Sequence, residues 1–99
     1  MTDAVEDWVF GEVVIRDKTG LHARPAVKLT KLAKSFAATI ELRAEDASAW
    51  VSAKSPNAVM KLRAGHETAL SIRAAGEDAP QAVAALTALV DTNFDESAG

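Results

Sequence analysis

The chain of 99 residues contains no cysteine, which excludes disulfides, thiol catalysis and thiolate zinc sites. Only two histidines, His22 and His66, are present, too few for a histidine-rich metal cage. Neither a metal nor an organic cofactor is therefore expected. No apolar run approaches the roughly 20 residues that a membrane span needs, so no membrane insertion is expected. The segment Met1–Asp7 is acidic and lacks a basic region followed by an apolar stretch, so it does not read as a signal peptide. The expected setting is cytoplasmic. No Pro-, Gly- or Ser-rich stretch divides the chain, which points to one domain. With 48% hydrophobic residues and a net charge of −3, the composition suits a packed core rather than disorder.

Charge is distributed unevenly. Arg16, Lys18, Arg24, Lys28, Lys31 and Lys34 lie close together, opposed within the stretch only by Asp17, while acidic residues gather towards both ends. A mildly acidic chain with one basic segment argues against nucleic-acid binding, which shows as an overall excess of Lys and Arg. Two readings stay open from charge alone: docking onto an acidic protein surface, or a solvated helix face.

Residues Trp8 to Arg16 alternate with period 2 and predict a strand whose Val9, Gly11, Val13 and Ile15 share one face. Asp17–Gly20 supplies a turn. From Ala23 to Phe36 the period becomes 3.6, with Ala26, Leu29, Leu32, Ala33 and Phe36 as an apolar stripe and Pro25 in the first turn. Strands are predicted at 39–43, 49–53 and 68–75. Ser55-Pro56 signals a short helix through Val59, Met60 and Leu62. Asp78 and Gln81 form a capping-box pattern before a final helix carrying Val83, Leu86, Leu89 and Val90. The expectation is an α+β domain of order βαββαβα over residues 8–91. Residues 1–7 are expected to be a flexible acidic extension, and 92–99 a fraying tail, polar apart from Phe94.

Gly20-Leu21-His22-Ala23-Arg24-Pro25-Ala26 is the stretch that carries chemistry. A turn glycine precedes a histidine at a helix start, with an arginine two residues later. A helix start offers free N–H groups and a partial positive charge of roughly half a unit, which favour an anion. Arg24 adds a planar cation suited to phosphate oxygens. Both influences disfavour protonation of His22, which leaves a neutral imidazole able to attack phosphorus. Carrying a phosphoryl group is a coherent use of this spacing. The competing reading makes His22 a cap-region residue and Arg24 a surface cation. His66, in Gly65-His66-Glu67, has no such surroundings and reads as a turn residue.

Thr19-Gly20-Leu21-His22-Ala23-Arg24-Pro25-Ala26 resembles the active-site signature of the HPr family, phosphocarriers of the bacterial phosphoenolpyruvate-dependent phosphotransferase system. Ala53-Lys54-Ser55 resembles that family's regulatory-serine segment, and Gly76-Glu77-Asp78 its turn before the last helix. The likeness covers about Val9 to Val90. It implies an HPr-like open-faced β-sandwich, with a four-stranded antiparallel sheet and three helices on one face. It further implies that His22 is phosphorylated by enzyme I and passes the group to an enzyme IIA. Arg24 would assist as catalytic partner, and Ala23 and Arg24 would bind the phosphate. Val27, Lys31 and Lys34 on the first helix, with Val59 and Met60 on the second, would meet partners. Ser55 would be the site of an HPr kinase/phosphorylase as well as a helix cap.

The chain departs from the family pattern in its longer acidic N-terminus and its Arg43–Trp50 connection, which has about two extra residues. Pro56-Asn57-Ala58 also replaces the usual apolar and basic residues after the serine. The ending Asn93-Phe94-Asp95-Glu96 is similar to that of the nitrogen-branch members of the family. The expected protein is a monomeric carrier with a covalent phosphohistidine rather than a stand-alone enzyme. The alternative is an HPr-like regulatory binding module, controlled at Ser55 without net phosphoryl relay. A small RNA-binding α+β domain is the further rival. The acidic pI of about 5.3 and the lack of aromatics on central strands count against it.

Overall fold

A computed structural model describes residues 8–18, 20, 21, 23–45, 47 and 49–94. The alternating segment near the N-terminus forms strand β1 (Val9–Val14), followed by helix α1 (Ala23–Lys34) and strand β2 (Thr39–Ala44). A two-residue strand β3 (Val51–Ser52), helix α2 (Pro56–Lys61), strand β4 (Ala69–Ala75) and helix α3 (Ala79–Asp91) complete the expected βαββαβα order. The strands pair antiparallel in the order β1-β4-β2-β3.

Period 2 puts Leu70, Ile72 and Ala74 of β4 on the same face as Ile40, Leu42 and Ala44 of β2, and all six are buried. The helices cover this face with Ala26, Leu29 and Ala33 from α1, Val59 from α2, and Ala82, Val83, Leu86 and Val90 from α3. Pro25 and Thr30 are buried on α1 as well, whereas Leu32 and Phe36 of the predicted stripe are only half-buried. Helix α3 runs so close to β1 that a Cβ at Gly11 would stand 2.6 Å from Val83 Cγ1. Glycine there lets the helix approach the strand.

Two sequence expectations are corrected here. Asp78 precedes α3 but makes no side-chain cap bond to it, so its capping box with Gln81 does not form. Its carboxylate instead accepts from Ala37 N at 2.9 Å and Ala38 N at 2.8 Å, just beyond the end of α1. Two successive N–H groups with no helical partner offer a carboxylate two charge-assisted bonds, more than one cap bond supplies. Asp78→Ala is therefore expected to lower stability by about 2 kcal/mol, and the melting temperature by roughly 10 °C. A melting temperature within a degree or two of the parent would show that the bridge contributes nothing.

The second correction concerns the C-terminal boundary. Residues 92–94 hydrogen-bond back to the end of α3, and the side chain of Phe94 is buried with 4% exposure. Asn93 and Phe94 both adopt left-handed φ values, 59° and 61°, which fold the chain back onto α1. Burying a Phe side chain contributes roughly 3 kcal/mol, enough to offset about 1 kcal/mol of backbone cost at each position. The expected tail from Asp95 onward, and the expected extension 1–7, lie outside the described residues.

Candidate functional site

The site is built around the entry to α1. Gly20 takes φ 77°, and a Cβ there would collide with the carbonyl oxygen of Ala64 and the Cα of Gly65. Glycine is thus required twice over, by backbone conformation and by space. Gly20 N donates to Asp17 O at 2.9 Å, and Leu21 N donates to Ala64 O at 2.9 Å. The Leu21 side chain is buried. The turn is thereby pinned to the loop that follows α2, and α1 starts two residues later at Ala23. His22 itself lies outside the described residues.

Ala23 and Arg24 are exposed in the first turn of α1, where backbone N–H groups lack helical acceptors. Ala23, Arg24, Val27, Lys28 and Lys31 line one open depression along α1. Val27 is 52% exposed, large for an aliphatic side chain. Lys31 and Lys34 are exposed in the last turn, where cations complement the helix dipole. Arg24, Lys31 and Lys34 are thus exposed along α1 from its first turn to its last.

A second shallow depression is lined by Asp17, Arg24, Pro25, Lys28, Asn93 and Phe94. Lys28 Nζ donates to Phe94 O at 3.1 Å, tying the C-terminal turn beside Arg24. Sequence reasoning missed this wall. The available signal was Phe94, a lone aromatic in a polar tail. Arg16 also leaves the basic set, because it pairs with Asp91 at the end of α3, 3.2 Å away.

Ser55 caps α2 as expected, its Oγ accepting from Ala58 N at 3.3 Å with Pro56 in the first turn. Met60 is half-buried. Val59, expected at a partner surface, is fully buried in the core, so its side chain is not available to a partner. With only six residues, α2 must turn one apolar side chain inward to hold the sheet, and that side chain is Val59. His66 is exposed in a turn. Among the described residues no group of His, Cys, Asp and Glu could hold a metal ion. No described helix is long and apolar enough to cross a membrane.

A four-stranded antiparallel sheet backed by three helices, with an exposed arginine in the first turn of α1, defines an open-faced β-sandwich. Residues 10–92 match the PTS-HPr family model, described as "PTS HPr component phosphorylation site". The chain therefore belongs to the HPr family, the phosphocarriers of the phosphotransferase system. It is 40% identical over 86 residues to the phosphocarrier protein NPr of Shewanella violacea, covering 87% of this chain and 92% of the relative. It is 36% identical over 85 residues to the phosphocarrier protein HPr of Cupriavidus necator, covering 86% and 93%. Its fold matches a crystal structure of HPr from Thermoanaerobacter tengcongensis with a TM-score of 0.80 and 31% identity, covering 87% of this chain and 94% of that one. The resemblance read from the signature thus extends to the fold of the whole domain.

Proposed function

We propose that the chain accepts a phosphoryl group on His22 from enzyme I and delivers it to an enzyme IIA, in the cytoplasm. The observation that carries this reading is the exposed Arg24 in the first turn of α1, beside Ala23 and two residues after His22 in sequence. A neutral imidazole nitrogen attacks the phosphorus of the donor. A nitrogen–phosphorus bond forms as the bond from phosphorus to the donor's leaving atom breaks, and the reverse exchange delivers the group to the acceptor. The dianionic phosphoryl group then meets Arg24 and the free N–H groups of the helix start. Val27 supplies an apolar contact and Lys31 and Lys34 steer acidic partner surfaces, which raises the association rate. The direct test is label from phosphoenolpyruvate, passed through enzyme I to the purified chain. An acid-labile, base-stable phosphate mapping to His22 is expected. No label, or an acid-stable one, would overturn the reading.

Ser55 is proposed as a regulatory site for an HPr kinase/phosphorylase in addition to its cap. Aspartate caps about as well as serine, so Ser55→Asp is expected to keep stability while slowing phosphoryl transfer from enzyme I, through like charge near the docking surface. Ser55→Ala is expected to lose about 1 kcal/mol of stability with little change in transfer. Transfer to Ser55→Asp at the parent rate would leave the serine as a cap only.

A further inference from the structure

The face of the sheet turned away from the helices carries a cluster that phosphoryl transfer does not use. Trp8, Phe10 and Trp50, three of the five aromatic residues of the chain, gather there. The Arg73 guanidinium of β4 lies 4.2 Å from the ring centroids of both Trp8 and Trp50. Its Nε donates to Glu41 Oε1 at 2.8 Å. Phe10 and Trp50 meet edge-on with centroids 6.3 Å apart. Even so, Phe10 is 62% exposed and Val14 is 46% exposed, so apolar area on this face remains in water.

Two charges of opposite sign on the same face have no ion-pair or side-chain hydrogen-bond partner among the described residues. One is Glu12 of β1. The other is Arg43 of β2, whose guanidinium sits 5.0 Å from the Trp50 centroid and whose Nε is buried without an acceptor. The register places both opposite Ser71 of β4, so they occupy one cross-strand row, one strand to either side. At the spacing of antiparallel strands they stand about 10 Å apart.

We propose that this face is a self-complementary interface between two copies of the chain, in place of the monomer expected from the sequence. In a two-fold contact, residue i of one copy meets j of the other while j meets i. An axis running along β4 past Ser71, between two sheets stacked face to face, meets that condition. It carries Glu12 of each copy over Arg43 of the other, and Phe10 of each towards Trp50 of the other. Reciprocal ion pairs in the Ser71 row then lie beside an aromatic patch in the Arg73 row. Other occupants fit less well. Nucleic acid would set phosphates against Glu12 and Glu41 on a chain of net charge −3. An acidic peptide would satisfy Arg43 but repel Glu12, and a basic one would do the reverse. A second copy satisfies both charges by symmetry. The helices lie on the other side of the sheet, so the start of α1 stays open, and the proposal stands independently of phosphoryl transfer.

The test is sedimentation of the full chain from micromolar to millimolar concentration, with Glu12→Arg, Arg43→Glu and the double variant. The parent should shift to twice its mass, with a blue shift of tryptophan emission as Trp50 is covered. Each single variant should weaken the dimer by about tenfold or more, through like charges brought face to face. The double variant should recover most of the loss. Circular dichroism keeps a failure to fold apart from a failure to associate, and Glu12, exposed on an edge strand, is a safe position for the first arm. A parent that is monomeric throughout, whether or not it binds RNA or a peptide, overturns the proposal. So does a dimer indifferent to the single variants, as strand exchange between copies would be, or a double variant that does not recover.

Discussion

Replacing His22 by alanine is expected to abolish labelling from phosphoenolpyruvate and enzyme I altogether, because no other group of the site can take its place. The residues lining the depression beside the start of α1 are Ala23, Arg24, Val27, Lys28 and Lys31, and none of them is a second histidine. His66 is exposed in a turn beyond α2 and is followed by Glu67 and Thr68, with no arginine two residues on as His22 has. The elements that hold the site, Gly20, Leu21 and Ala64, make their hydrogen bonds through backbone atoms. Far-UV circular dichroism and thermal melting of His22→Ala should therefore match the parent. Full labelling of a folded His22→Ala chain would move the acceptor elsewhere and undo the proposed function.

Phe94→Ala is expected to have the largest effect on stability, about 3 kcal/mol or more, from lost burial and the cavity left behind. A domain of this size has only about 5–15 kcal/mol in hand, so the melting temperature should fall by roughly 15 °C. The left-handed backbone at Asn93 and Phe94 would keep its cost while losing the burial that offsets it. Lys28 would lose a fixed carbonyl acceptor at the same time, opening the wall beside Arg24. A melting temperature unchanged in Phe94→Ala would mean that the C-terminal turn is not part of the folded unit.

Much of this was legible because it is periodic. The alternation of Val9–Val14 and the 3.6-residue recurrence of Ala26, Leu29 and Ala33 depend only on which face is buried, and that face is set by local geometry. The signature around Gly20 and Arg24 was legible because chemistry and turn sterics constrain the same few residues. Asp78 does not cap α3 because its stronger partners, Ala37 and Ala38, lie 41 and 40 residues away in sequence. The burial of Phe94 is not legible for the same reason: its packing site is made by α1, far up the chain. Family likeness points Val59 to a partner surface, and its burial in a six-residue helix decides otherwise. The aromatic cluster over Arg73 escaped notice because Trp8, Phe10 and Trp50 come from edge positions and converge only in the sheet.

Helix α1 is tethered at three heights: through Gly20 and Leu21 before its start, Lys28 at its middle, and Ala37 and Ala38 beyond its end. Such a helix behaves as a strut, shifting as one body or not at all. In the proposed relay, successive partners would meet the same preset surface, and none would spend binding energy on ordering it. Contacts can stay weak enough to break quickly without loss of geometry. For a carrier that leaves one partner before serving the next, as proposed here, stiffness in α1 would translate into turnover.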